Sequence, residues 1–246
     1  MSRTCTSAGL VVLILLSGMF SANFFAGPLA AELSLGPGGT LTGRVVIAGN
    51  YGKPARLPVF KNRAFCGATV TDESLLVGND GGLQNAVVSL HPRSGPAAVQ
   101  PEKIVLDNRR CAFTPHVQVA ALGSGLLLKN SDPILHTVHA RLGTETLFNI
   151  GLPKWRQVTR LLDRPGVIRI NCDVLHTWMS AVIVVTRTPY FTVTGPNGLF
   201  SIAGLAAGEY EAEVWHEKLG SKLIPALMGE SSANAIEVVY SPPARL

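Results

Sequence analysis

Short β-branched runs cut by turn residues leave this chain few folds to choose from. From Gly38 onward, "LTGRVVIAG", "NAVVSLHP", "HVQVAALGSGLLLKNSD", "LHTVHARLG", "GVIRINCDV" and "SAVIVVTRT" alternate or cluster Val, Ile and Leu. Between the apolar runs stand Gly-Asn, Asn-Asp-Gly-Gly, Gly-Ser-Gly, Pro-Asn-Gly and Ala-Ala-Gly. Such residues supply positive φ or preset a turn. Strands recurring every ~8–12 residues with these turns read as an all-β sandwich or barrel. "SLLVGNDGGLQNAVVSLHP" reads as a hairpin, and only "LIPALMGESSANA" reads as a short helix. "TRTPY", residues 186–190, is the best boundary between two β modules.

The first 31 residues have a different character. Arg3 is their one formal side-chain charge, an apolar run follows from Leu10 to Phe20, and small residues come next. That order is expected of a secretory signal peptide. The apolar core is short for a membrane span of about 20 residues, and an uncleaved anchor is the alternative. Removing residues 1–31 leaves 20 Lys and Arg against 16 acids, about +4. The cations are scattered through "KPARLPVFKNR", "DNRRC" and "PKWRQVTR", so nucleic acid is not an expected partner. A mildly basic face suits an acidic protein or peripheral association with an anionic cell envelope.

The four cysteines are Cys5, Cys66, Cys111 and Cys172. Cys5 leaves with the signal peptide, and three remain in an oxidising compartment. An odd count there means one thiol is free, shared between chains or bound to something. Cys172 has His176 and Met179 beside it in "NCDVLHTWMS", whereas Cys66 and Cys111 have neither nearby. The economical reading pairs Cys66 with Cys111 and leaves Cys172 as a thiolate ligand. The bland alternative is that Cys172 is a small buried hydrophobe.

A thiolate with imidazole and thioether suits copper better than calcium, magnesium or zinc. The set lacks a second imidazole, which "NSDPILHTVHA" supplies as His136 or His139. The two lie three apart and point to opposite faces of a strand, so one joins the site. His136, nearer the strand start, is the expected ligand. His136, Cys172 and His176 then form a trigonal set with Met179 as a weak axial donor, the recipe for a mononuclear electron-transfer copper.

These residues resemble a known family. "SDPILHTVHA" followed by "GVIRINCDVLHTWMSAVIVV" resembles the cupredoxins, small blue copper proteins such as plastocyanin and amicyanin. The resemblance covers about residues 105–187 and implies the ligands His136, Cys172, His176 and Met179, with His139 outside the set. It also implies one type 1 copper per chain, with His176 at the exposed pole where a partner docks. Thr137 stands where many members carry an Asn that braces the ligand loop. The Cys-x3-His-x2-Met spacing equals half of a binuclear copper motif, but Ile168 replaces the second cysteine. "TVTGPNGLFSIAGLAAGEYEAEVWHEKLG" resembles the carboxypeptidase regulatory-like, or transthyretin-like, module, and "GTLTGRVVIAG" and "LQNAVVSLHP" could be its opening strands. Together the two parts resemble exported bacterial proteins of methylamine-utilisation type.

The expected organisation is all-β. A signal peptide spans 1–31, a Greek-key cupredoxin-like sandwich spans 38–186, and a small transthyretin-like sandwich spans 187–246. Residues 38–93 are open to sharing with the second module, in tandem or interleaved. The expected function is single-electron transfer between periplasmic or secreted protein redox partners, without enzymatic activity. The chain has no Gly-x-Ser-x-Gly elbow, no phosphate-binding loop and no His-x-His pair of a multicopper oxidase. The rival readings are a cell-envelope binding module for carbohydrate or protein, and a copper carrier or storage protein. Asp173 is read as solvated or as an acceptor in the ligand loop, and Trp178 as a shield against water. His216 is read as a surface residue, and His91 and His116 are given no role.

Overall fold

The computed structural model describes residues 38–241 apart from 50, 52, 96, 97 and 230–232. The signal-peptide expectation for 1–31 lies outside these residues. In chain order the elements are β1 (Gly39–Ile47), β2 (Arg56–Pro58), the single-turn helix α1 (Arg63–Cys66), β3 (Thr69–Thr71) and β4 (Val87–Pro92). Next come β5 (Lys103–Arg109), β6 (Ala112–Thr114), β7 (Val117–Ala121), β8 (Gly125–Asn130), β9 (His136–Leu142) and β10 (Glu145–Leu152). Then follow β11 (Gln157–Leu161), β12 (Gly166–Asn171), β13 (Ser180–Thr186), β14 (Phe191–Val193) and β15 (Leu199–Leu205). The last three are β16 (Gly208–His216), β17 (Gly220–Met228) and β18 (Ala233–Tyr240).

Two sheets, ordered β10-β9-β12-β13-β7 and β11-β8-β5-β6, enclose one core. Leu106, Phe113, Leu126, Leu128, Val138, Ile168, Ile170 and Ile183 fill it. The neighbours β9–β12 and β5–β8 are non-sequential, the crossovers of a Greek-key sandwich. The period-2 pattern acts directly here. In β9, His136, Val138 and Ala140 are buried while Thr137, His139 and Arg141 are only partly so.

A second core lies between β15-β1-β18 and β14-β4-β16-β17. β1 pairs antiparallel with β15 and parallel with β18, and β4 pairs with β14 and β16. β1 and β4 therefore build one sandwich with the strands after 190, and residues 103–186 are inserted between them. β2 and β3 pair only with each other, and Leu57, Val59 and Val70 pack against the first core. The arrangement is interleaved rather than tandem. The cause is visible in the strands: buried Leu41, Val45 and Ile47 of β1 complete the apolar layer begun by Phe200, Ile202 and Val238.

Two local readings need correction. The stretch read as a short helix begins in strand β17, whose Pro225 faces Glu211 of β16. β17 is an edge strand, where a missing N–H costs no ladder bond. In the "GNDGG" hairpin, Gly78 N–H donates to Gly82 C=O at 2.8 Å, so the turn is present. Only the isolated bridge Val77–Leu83 flanks it, and the strand proper begins at Val87.

Candidate metal centre

His136 opens β9, and Cys172 follows directly on β12. His176 stands in the loop from β12 to β13, which Leu175 turns through a left-handed φ of 65°. The β9–β12 pairing, with Asn171 opposite His139, brings the strand ends together across 36 residues of sequence. Cys172 Sγ lies 3.9 Å from His136 Nδ1 and 3.7 Å from His176 Nδ1, and the two nitrogens are 3.1 Å apart. All three side chains are buried. Met179 is buried in the same core, and its N–H donates to the His176 carbonyl at 2.9 Å, closing the loop.

The ring nitrogens that face outward are occupied. His136 Nε2 donates to Asp132 Oδ2 at 3.0 Å, and His176 Nε2 donates to Asn62 Oδ1 at 2.9 Å. These bonds set both tautomers, since the carboxylate only accepts and the amide oxygen only accepts. Each imidazole therefore aims an Nδ1 lone pair at the other and at the sulfur. Two lone pairs that close repel unless a proton or a cation lies between them.

The titration behaviour follows from this arrangement. Burial works against charging His136, but the bonds to Asp132 and Cys172 outweigh it and raise its pKa. Burial, with His136 and Lys61 adding to it, drives His176 down to about 4. A proton on one of these imidazoles disfavours a second proton on the other. Burial also opposes a Cys172 thiolate. The His136 hydrogen bond, the N–H groups of Thr137 and Val174 and the Thr137 hydroxyl outweigh burial, so the thiol pKa is lowered.

Thr137 performs the bracing its position requires. Its N–H and its hydroxyl reach Cys172 Sγ at 3.4 and 3.7 Å, and its Oγ1 accepts the Asp173 N–H at 2.6 Å. Trp178 is buried, tilts against His176 at a ring separation of 5.1 Å, and donates Nε1–H to the Cys111 carbonyl at 2.9 Å. His139 lies outside the cluster and pairs with Asp173 at 2.8 Å and with Thr146 at 2.9 Å. Cys66 and Cys111 form a disulfide, the economical reading of the cysteines.

Two placements differ from the sequence reading, and His116, given no role there, has a partner. His176 is only 1% exposed, covered by Asn62, so it does not sit at an open pole. His216 is likewise buried, with its Nε2 unpaired. His116 pairs with Glu217 at 2.6 Å in a nearly buried contact. Asp132 was legible in principle, four residues before His136. Asn62, 114 residues from His176, left no local signal.

The donor set fits a small soft cation. A triangle with sides of 3.1, 3.7 and 3.9 Å has its centre about 2.1 Å from each corner, within the roughly 2.0–2.3 Å of metal–nitrogen and metal–sulfur bonds.

No protein-family model matches this chain, and no curated protein matches it. Cupredoxins and a copper-containing enzyme are among the solved structures it resembles. A purple cupredoxin from Nitrosopumilus maritimus aligns at 18% identity over 35% of this chain and 99% of its own, with a TM-score of 0.30. Amicyanin from Paracoccus versutus aligns at 15% identity over 39% and 97%, with a TM-score of 0.31. The Cu-containing nitrite reductase of Thermus scotoductus aligns at 19% identity over 39% of this chain and 25% of its own, with a TM-score of 0.32.

Proposed function

We propose that this chain is an exported mononuclear copper protein that carries single electrons between protein redox partners and is not an enzyme. One observation carries the reading: two tautomer-locked imidazoles and a thiol of lowered pKa face a common point at metal-bonding distance. His136, Cys172 and His176, with Met179 from the same loop, would hold the ion. A copper ion held there would supply one-electron exchange. The protein's part is to keep the donors still. Thr137 fixes the sulfur, Asp132 and Asn62 fix the rings, and Trp178 with the surrounding apolar core keeps water out. Outer hydrogen bonds of this kind orient metal ligands and raise their basicity.

Copper carriage or storage is the nearer rival, and the cover over His176 speaks against rapid hand-off of the ion. A binding module for carbohydrate or protein is the more distant one. Metal analysis and a visible spectrum of the oxidised protein, beside Cys172→Ser, separate the three. Electron transfer expects one copper per chain and an intense thiolate-to-Cu(II) band that Cys172→Ser abolishes. Colourless Cu(I)-only protein would support the carrier, and absence of copper uptake would support the binding module.

A further inference from the structure

We propose that the Cys66–Cys111 disulfide clamps the candidate metal centre by tying together the two side chains that orient its imidazoles, with Asn62 as a positioning residue. The proposal rests on the copper reading above for its purpose, and on geometry alone for its substance.

On one side of the disulfide, Asn62 stands at the N-cap of α1 with a left-handed φ of 58°. An Asn there ordinarily turns its side chain back to accept a free helix N–H. Here it makes no such bond, and its Oδ1 accepts from His176 Nε2 instead. The turn that carries it is weakly held. α1 has four residues and none is buried, and a helix of that length does not persist by itself. Its C-terminal residue is Cys66, whose N–H donates to the Asn62 carbonyl at 2.9 Å. The disulfide thus fastens the far end of the turn that presents Asn62.

On the other side, Arg110 and Cys111 both adopt left-handed φ, 53° and 58°. These two residues are the two-residue hairpin turn between β5 and β6, where Arg109 pairs with Ala112 and both central residues have positive φ. Their two successive N–H groups point at one anion. The anion is Asp132, which accepts from Arg110 at 2.7 Å and from Cys111 at 2.8 Å. Its Oδ2 also holds His136 Nε2. The Cys111 carbonyl receives the Trp178 indole N–H, whose ring lies against His176.

A closed circuit results. It runs from His176 to Asn62, through α1 and the disulfide to Cys111, on to Asp132 and back to His136. The crosslink is its covalent segment and joins positions 45 apart in sequence. The β2–β3 hairpin holds the two flanks of α1, with Val59 buried and its N–H donating to the Ala68 carbonyl at 3.0 Å. No residue of α1 itself is buried, however, and the disulfide is the covalent tie of the turn to the site. Without the bond, the turn lifts, Asn62 leaves His176, and the way to Cys172 opens.

The test uses the metal-free full chain and reads alkylation of Cys172 by iodoacetamide, located by peptide mass spectrometry. Cys66→Ala/Cys111→Ala should alkylate at least about tenfold faster than wild type, as expected when a local opening becomes easier. Asn62→Ala, with the disulfide intact, should show a smaller rise. Phe65→Ala, on the same turn but half-exposed and without a bond to either imidazole, should match wild type. Circular dichroism identifies global unfolding. If the double variant does not fold, Asn62→Ala against Phe65→Ala decides the matter. With copper bound, Asn62→Ala should also shift the visible band while Phe65→Ala leaves it in place. Wild-type alkylation rates in the folded variants would overturn the clamp, whatever the protein does with copper. Accelerated alkylation in a protein that takes up no copper would leave the clamp standing and remove the metal reading.

Discussion

Asp132 is the residue on which the candidate centre turns. It is 2% exposed, accepts two backbone N–H groups and holds the ring of His136. Burial raises its pKa, but the His136 bond and the two amides outweigh that, and the net value is lowered. Asp132→Asn keeps the shape and removes the charge, and its NH₂ group meets donors where acceptors are needed. Copper affinity should fall about 10–100-fold, the usual cost of losing an outer partner of a histidine ligand, as read by competition with a chelator. Protons compete for the same atoms. Because the metal-free His136 has a raised pKa, copper affinity should weaken as pH falls through that value. The inner donors were legible in the sequence because they sit at strand ends or in one short loop. Strand alternation admitted only one of His136 and His139, and the place of His136 at the strand start chose between them. The outer partners were not equally legible. Asn62 reaches the site only through the disulfide and a one-turn helix, and neither has a periodic signature.

At the scale of elements, turn chemistry and alternation made the strands readable, whereas strand pairing depends on contacts far apart in sequence. β1 shows why. Its residues look like any half-buried strand, yet it lies between β15 and β18 from the other end of the chain. Gly43 permits that close fit. A Cβ there would come within 2.5 Å of the Ile236 carbonyl oxygen and would overlap the Phe200 ring. Gly43→Ala should therefore force β1 away from β18 and cost about 1–3 kcal/mol, the range for overpacking. The expected reading is a lower denaturant midpoint with the candidate centre's spectrum unchanged, since β1 belongs to the second core. The misread β17 follows the same logic. "LIPALM" has no strict alternation in sequence, and only its place at a sheet edge makes Pro225 acceptable.

At the scale of the whole molecule, the two sandwiches meet along Val87, Val117, Val182 and Trp215, with a buried polar pair beside the seam. His116 precedes β7 in the inserted sandwich, and Glu217 follows β16 in the other. His116 Nδ1 donates to the Ser180 carbonyl at 3.0 Å while Nε2 meets Glu217, so both ring nitrogens face acceptors and the imidazole is charged. Burial lowers the His116 pKa, but Glu217 outweighs it and the net value is raised. Its stabilisation is complete below the unfolded value near 6.5 and is lost as pH rises through the higher folded value. The adjacent His216 has the opposite sign. Burial drives it to about 4, so its contribution is complete above 6.5 and is lost as pH falls toward 4. The combined contribution of these two histidines should therefore be greatest near pH 6.5. His216→Gln removes the titrating group and should spare about 3 kcal/mol of loss between pH 6.5 and 4. His176 titrates over the same interval but is common to both proteins and cancels in the comparison. Glu217→Gln leaves a buried imidazolium without its partner and should cost about 3–5 kcal/mol near pH 6. The deficit should shrink as pH rises and His116 loses its proton. Denaturant midpoints from pH 4 to 9 for the three proteins read both arms, and a Glu217→Gln deficit that held constant across the alkaline arm would exclude the charged pair as the link between the sandwiches.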